Sequence, residues 1–229
     1  MIKALKQIFL EKIKHGFVRP KNDKLCQSTG LSTYIGIPDI SSSGPRDRFY
    51  EFSQGLGVDG IVLEVGTKQG IEGTTSHSQL AFPNVQRHNY IMSDVVPGKD
   101  VDVVANIHNL PSEWTGHFDC FVGIAVFEHL ERPWIAAKEV ARVLKKGGGC
   151  YVGTHQTFPL HGWPSDFFRF SDAALRLIFE DAGMKIIDIA YEHRTKIIPP
   201  ENIVPHSIVD NWNADWPSYV IVHMFAQKM

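Results

Sequence analysis

Between positions 64 and 94 two features are built for holding a ligand. The run Glu64-Val65-Gly66-Thr67-Lys68-Gln69-Gly70 follows an apolar stretch at 61–65, and Gly73 comes shortly after. A strand that breaks into a glycine turn before a helix lets a ligand approach the backbone and aims free N–H groups at it. A tight turn that holds nothing has the same sequence. Asp94 ends the next apolar run, thirty residues after Glu64. An acid at the tip of a neighbouring strand is placed to accept hydrogen bonds from ribose hydroxyls, and a solvated strand-end acid is the plainer alternative. Together the two features describe a site for an adenosine-bearing cofactor at the carboxyl ends of adjacent strands. Farther along, His129, His155 and His161 follow two more apolar runs. Imidazole is the side chain best poised for proton transfer near neutral pH. No metal-ligand spacing stands out among the eleven histidines, and no metal is expected.

The elements that must position these residues read as strands and helices in alternation from residue 46 onward. Apolar runs suited to buried parallel strands lie at 61–65, 90–92, 101–105, 118–124 and 149–153, and two further strands at 185–191 and 218–225. Helices are clearest at 133–144, which opens on Pro133 and runs into Lys145-Lys146-Gly147, and at 172–182, with Ser171 as N-cap and Gly183 as stop. This alternation predicts an α/β domain with a mostly parallel sheet and helices on both faces. One link departs from the scheme. Only about six residues separate Asp94 from Val101, while a parallel crossover usually needs a dozen or more. Either the helix after the second strand is absent or that pair is not parallel.

Residues 1–45 read as a separate N-terminal segment before a single domain at 46–229. Ile2, Leu5, Phe9 and Ile13 recur at helical spacing among Lys3, Lys6, Lys12 and Lys14. Such a basic amphipathic helix docks on the core, or makes weak contact with an anionic membrane surface or a partner through residues 1–20. Residues 21–45, rich in Ser, Thr, Gly and Pro, read as a long loop that can serve as a lid. The formal net charge of −2 gives no global footprint for nucleic acid. No apolar run is long enough for a membrane span or a secretory leader. Three scattered cysteines, Cys26, Cys120 and Cys150, point to a reducing compartment, so a cytoplasmic location is expected.

From residue 60 to 192 the sequence resembles the type 11 methyltransferases, a family of class I S-adenosylmethionine-dependent enzymes. The stretch Asp94-Val95-Val96-Pro97-Gly98-Lys99-Asp100-Val101-Asp102-Val103-Val104-Ala105-Asn106-Ile107-His108-Asn109-Leu110-Pro111 is similar to the family's run of Asp, Pro-Gly, Val-Asp and Leu-Pro. Phe127-Glu128-His129-Leu130 with Arg132-Pro133-Trp134 follows in order. Then come Glu139-Val140-Ala141-Arg142-Val143-Leu144-Lys145-Lys146-Gly147-Gly148 and the segment from Phe158 to Phe170.

The resemblance implies a Rossmann-like seven-stranded sheet in the order 3-2-1-4-5-7-6, with the last strand antiparallel and a shortened link between strands 2 and 3. It implies S-adenosylmethionine across the tips of strands 1, 2 and 4. Glu64, Gly66, Thr67 and Gly70 would line the methionine end, Asp94 and Val95 the ribose, and Asn106 and Ile107 the adenine. Ala125 and Val126 would cover the methionine moiety. Two positions depart from the family pattern. Lys68 stands where a glycine is usual, and Asn106 replaces an Asp, although its carbonyl can still accept from an adenine amino group.

The implied activity is methylation of a small molecule or a sugar hydroxyl, with a general base for the hydroxyl proton. His161 is the first candidate, because its loop also holds Asp166, Arg169 and several aromatics; His129 is the second. Each has a plainer reading. His129 can simply pack within its loop, and Asp166 with Arg169 can be an ion pair that only shapes it. A non-catalytic cofactor-binding or scaffold protein of the same fold is the alternative, and a nicotinamide oxidoreductase is a third reading that the glycine turn tolerates.

Overall fold

A computed structural model describes residues 44–70, 72 and 76–229. The expected N-terminal helix and lid over 1–45 therefore lie almost wholly outside the described residues. All described residues fall within the compact unit Gly36–Met229.

Among the described residues there are seven strands: β1 (Val62–Val65), β2 (Tyr90–Asp94), β3 (Val103–Val104), β4 (Phe118–Ile124), β5 (Leu144–His155), β6 (Met184–Thr195) and β7 (Ser218–Lys228). They form one sheet in the order β3-β2-β1-β4-β5-β7-β6, as the resemblance implies. All neighbours run parallel except β7, which is antiparallel to both β5 and β6. The helices are α1 (Pro45–Gly55), α2 (Pro133–Val143), α3 (Asp172–Asp181) and α4 (His206–Asp215).

Alternate side chains of each strand feed opposite faces of the sheet. On one face Leu63, Phe121, Val140, Leu175 and Phe179 belong to a single buried cluster that takes in α2 and α3. On the other face Phe49 of α1 packs with Val62, Tyr90, Tyr151 and Phe225. Phe49 stacks on Tyr151 with ring centroids 4.4 Å apart. A central sheet covered on both faces explains why β1 and β4 read as nearly continuous apolar runs.

Three local expectations are corrected. First, α2 ends at Val143, and Lys145-Lys146-Gly147 begin β5 instead of finishing the helix. The fully buried Leu144 pairs with Phe118 of β4, and Lys145 Nζ lies 2.7 Å from Asp119, so strand pairing wins over helix extension. Second, no α-helix follows β1 among the described residues; 76–89 hold only two single 3₁₀ turns. Third, α1 and α4 are helices that the apolar periodicity did not disclose.

The short link between β2 and β3 turns out parallel. It needs no helix because β3 pairs only with the last two residues of β2, Ser93 with Val103 and Asp94 with Val104. The chain therefore travels back hardly at all. Asp100, with φ at 64°, makes the reversal, and Asp102 then ties its backbone N to Met92 O at 2.8 Å.

Candidate active site

The carboxyl ends of β1, β2 and β4 surround a cavity of about 480 Å³, within the range of small-molecule sites, roughly 300–1,000 Å³. Of the residues expected to hold cofactor, Gly66, Asp94, Val95, Asn106, Ile107, Ala125 and Val126 line it, and so does His129. Glu64, Thr67, Gly70 and His161 do not.

Gly66 ends β1 with φ at 77°, a conformation that L side chains rarely adopt. A Cβ there would come within 2.4 Å of Val126 Cγ2. The glycine is thus required by the close approach of the β4 tip as much as by any ligand. Across the cavity Ala125 also has positive φ, 54°, an uncommon state for a residue with a Cβ. Its N–H donates to Gly153 O at 2.8 Å, which holds the turn that carries Val126 over the opening.

Asp94 is fixed by two backbone donors. Lys68 N donates to Oδ2 at 3.2 Å, and Val96 N to Oδ1 at 3.1 Å. Each oxygen keeps a lone pair for a further donor, as ribose hydroxyls would require. The side chain of Lys68 lies along Gly98, where a Cβ would meet its Cγ at 2.8 Å, and does not line the cavity. The exchange of glycine for lysine in the turn therefore leaves the opening clear.

Other expected positions are engaged elsewhere. Glu64 is buried and accepts from Ser78 N, Ser78 Oγ and the Tyr90 hydroxyl. Burial pushes its carboxyl above the ordinary value, against the pull of the Tyr90 and Ser78 hydrogen bonds. Thr67 Oγ1 donates to Asp100 O at 2.6 Å and so clamps the β1 turn onto the β2–β3 link. A Cβ on Gly70 would meet nothing within 4 Å. Asn106 reaches the cavity, but its Oδ1 already accepts from His108 N at 2.9 Å and lies 3.0 Å from His108 Nδ1. The acceptor expected to face an adenine amino group is turned toward His108 instead.

The histidines sort by position. His129 is half-buried on the cavity wall, with Nδ1 facing Ser165 O at 2.5 Å. A carbonyl only accepts, so Nδ1 carries the proton and Nε2 is the basic nitrogen. The ring rests against Gly162, where a Cβ would lie 2.7 Å from His129 Cε1. His161 stands behind it, with ring centroids 4.7 Å apart. The loop between β5 and α3 is organised by Asp166. Its carboxylate takes Arg169 at 2.6 and 2.9 Å and His161 N at 2.8 Å. The Arg169 guanidinium holds that carboxyl well below the ordinary carboxylate range. Neither Asp166 nor Arg169 reaches the cavity, but the loop sends Ser165 and Phe167 into its wall.

Residues 75–152 match the family model for the methyltransferase domain. Match and sheet order together are those of a class I, S-adenosylmethionine-dependent methyltransferase domain. Solved structures share the fold at low identity. A candidate methyltransferase from Bacillus halodurans aligns at TM-score 0.55 and 15% identity, over 80% of this chain and 97% of the other. An S-adenosylmethionine-dependent methyltransferase from Archaeoglobus fulgidus aligns at 0.51 and 16%, over 80% and 90%. A methyltransferase-like protein of Haloferax volcanii, solved with the Trm112 methyltransferase activator, aligns at 0.51 and 18%, over 80% and 87%. At such identities the likeness concerns the fold alone. No curated protein sequence matches the chain.

Residues in and behind the cavity escaped the sequence reading. His108 lines it, and its buried Nε2 has no hydrogen-bond partner. Ser165 and Phe167 arrive from a loop some forty residues beyond the β4 tip. Glu128, fully buried just past β4, lies 2.7 Å from His155 Nδ1. Burial alone would raise its carboxyl, yet the approach of His155 and the Thr154 hydroxyl holds it below the ordinary value. The only signal for these residues is their place after strand ends. Among the described residues no helix is long and apolar enough to cross a membrane.

Proposed function

We propose that this methyltransferase methylates a hydroxyl of a small molecule or sugar. The observation that carries the reading is His129, a half-buried imidazole on the cavity wall whose Nδ1 is committed to Ser165 O. Bound S-adenosylmethionine supplies an electrophilic methyl group. The acceptor oxygen forms the new C–O bond as the C–S bond breaks, and its proton passes to His129 Nε2. Gly66, Asp94, Val95, Asn106, Ile107, Ala125 and Val126 bind the cofactor in this reading, with Asp94 taking the ribose hydroxyls. Glu64, Thr67 and Gly70 act at one remove, by holding the turns that shape the opening. His161 backs His129 from outside the cavity wall.

The fold supports a cofactor site and a proton acceptor side by side, and this is what a hydroxyl acceptor needs. Residues 46–229 form the catalytic domain in this reading. A reducing, cytoplasmic setting suits Cys120 and Cys150, which are buried free thiols. Hydroxylated acceptors, sugars among them, should be screened for release of S-adenosylhomocysteine. Turnover on a hydroxyl that is lost in His129→Gln supports the reading. Turnover confined to amines or thiols would sink it.

A further inference from the structure

Glu128, His155 and His161 bring three donor atoms within 4.8 Å of one another. They come from separate pieces of chain: the turn after β4, the last residue of β5, and the loop beyond it. Glu128 Oε1 lies 2.7 Å from His155 Nδ1 and 4.0 Å from His161 Nε2. The Glu128 side chain is fully buried, and His155 is nearly so, at 12% exposure. Although close enough to pair as ions, Glu128 Oε1 and His155 Nδ1 do not meet at hydrogen-bonding angles, and neither has a hydrogen bond. Buried polar atoms without a hydrogen bond are costly, and two of them facing each other are placed to share a third body.

We propose that these three residues bind one divalent transition-metal ion. Two imidazoles and one carboxylate are the donor set of zinc, cobalt or ferrous sites, and poor ligands for magnesium or calcium. Ligands about 2.1 Å from a tetrahedral ion stand roughly 3.4 Å apart. Two of the separations straddle that value and the third is within 4.8 Å, so modest side-chain shifts complete the site. The surrounding atoms already orient the ligands. His161 Nδ1 faces Pro159 O at 3.1 Å and Asp166 Oδ2 at 3.6 Å. Both are acceptors, so Nδ1 carries the proton and Nε2 presents its lone pair toward Glu128. Thr154 Oγ1 donates to Glu128 Oε2 at 2.6 Å, which leaves Oε1 for the ion. Phe158 stacks on His155 with centroids 4.1 Å apart and covers the cluster.

The ion would pin the 156–170 loop to the ends of β4 and β5. That loop supplies Ser165 and Phe167 to the cavity wall, and His161 touches His129. The site stands apart from the choice of methyl acceptor. Its test uses the full-length, tag-free protein, stripped with chelator, and titrated with Co²⁺ by visible absorption and with Zn²⁺ by calorimetry. One ion per chain is expected, with tetrahedral ligand-field bands. His155→Ala and His161→Ala should each weaken binding at least tenfold, whereas the exposed His88→Ala should not. Circular dichroism checks that each variant is folded. Because Glu128 is buried and its variants can misfold, His161→Ala, in a half-buried loop, decides the matter. No stoichiometric binding, or binding unchanged in folded His161→Ala and His155→Ala, overturns the proposal.

Discussion

At the scale of single residues the cavity depends on a few backbone commitments. Asp94 is held by the N–H groups of Lys68 and Val96, with both oxygens free to accept one bond more. Asp94→Ala should weaken S-adenosylmethionine binding by about 1–3 kcal/mol, the loss of charge-assisted hydrogen bonds. Calorimetry on the folded variant measures this, and an unchanged affinity takes Asp94 out of the site. Gly66→Ala combines a strained φ with a Cβ 2.4 Å from Val126. It should lower both stability and cofactor affinity, and Val126→Ala in the same chain should restore part of each by removing the clash but not the strain. If Val126→Ala restores nothing, the backbone conformation is the whole effect. For His129→Gln, kcat on a hydroxyl acceptor should drop on the order of 10²–10⁴ while cofactor affinity stays intact. A rise in KM alone would make His129 an acceptor contact and not a base.

At the scale of elements, α3 offers a clean separation of stability from binding. Its N-cap Ser171 accepts from Ala174 N at 3.2 Å, as the sequence pattern predicts. Ser171→Ala should lower unfolding free energy by about 0.5–2 kcal/mol and leave cofactor affinity alone. Denaturant titration and calorimetry on one preparation check both halves. The β5–α3 loop behaves differently, because Asp166 and Arg169 hold its shape from outside the cavity. Arg169→Leu should raise the KM for acceptor, through Ser165 and Phe167, more than it alters cofactor binding. Steady-state kinetics with each substrate varied in turn separates the two.

At the scale of the whole molecule, a chain of polar groups, buried beyond the exposed Arg46, ties α1 to the antiparallel half of the sheet. Arg46 pairs with Glu192, whose Oε2 lies 3.1 Å from His223 Nε2, and His223 Nδ1 lies 2.9 Å from the Tyr151 hydroxyl. Burial pulls His223 down to about 4, with Arg46 adding to the effect and Glu192 opposing it. A histidine depressed in the fold stays neutral there while the unfolded chain takes up a proton near 6.5. Its contribution is therefore fully present above pH 6.5, shrinks as pH falls toward 4, and falls no further below. Denaturant midpoints measured from pH 7 to 4 should decline over that window, and less steeply in His223→Gln. Equal slopes for the two proteins would assign the acid sensitivity to other groups.

The sequence by itself determined where the strands lie, because that evidence is local, while their order came from the resemblance and the parallel β2–β3 pairing from the structure. Buried strands are apolar runs, helices start at Pro133 and Ser171, and the order of motifs from 60 to 192 is that of one fold. It also pointed to the cavity's floor, since Gly66, Asp94, Ile107 and Val126 follow strand ends directly. Only the tertiary structure decided what each polar side chain faces. Glu64 and Asn106 looked free in sequence and are instead claimed by Ser78, Tyr90 and His108. His161 looked nearest the chemistry, yet His129 occupies the wall and His161 stands behind it. Glu128, His155 and His161 carry no sequence signature as a group, because their spacing reflects where two parallel strands and a loop end. Strand identity follows from the residues within a segment, whereas a site follows from which segments end side by side, and that is fixed by the register of the sheet.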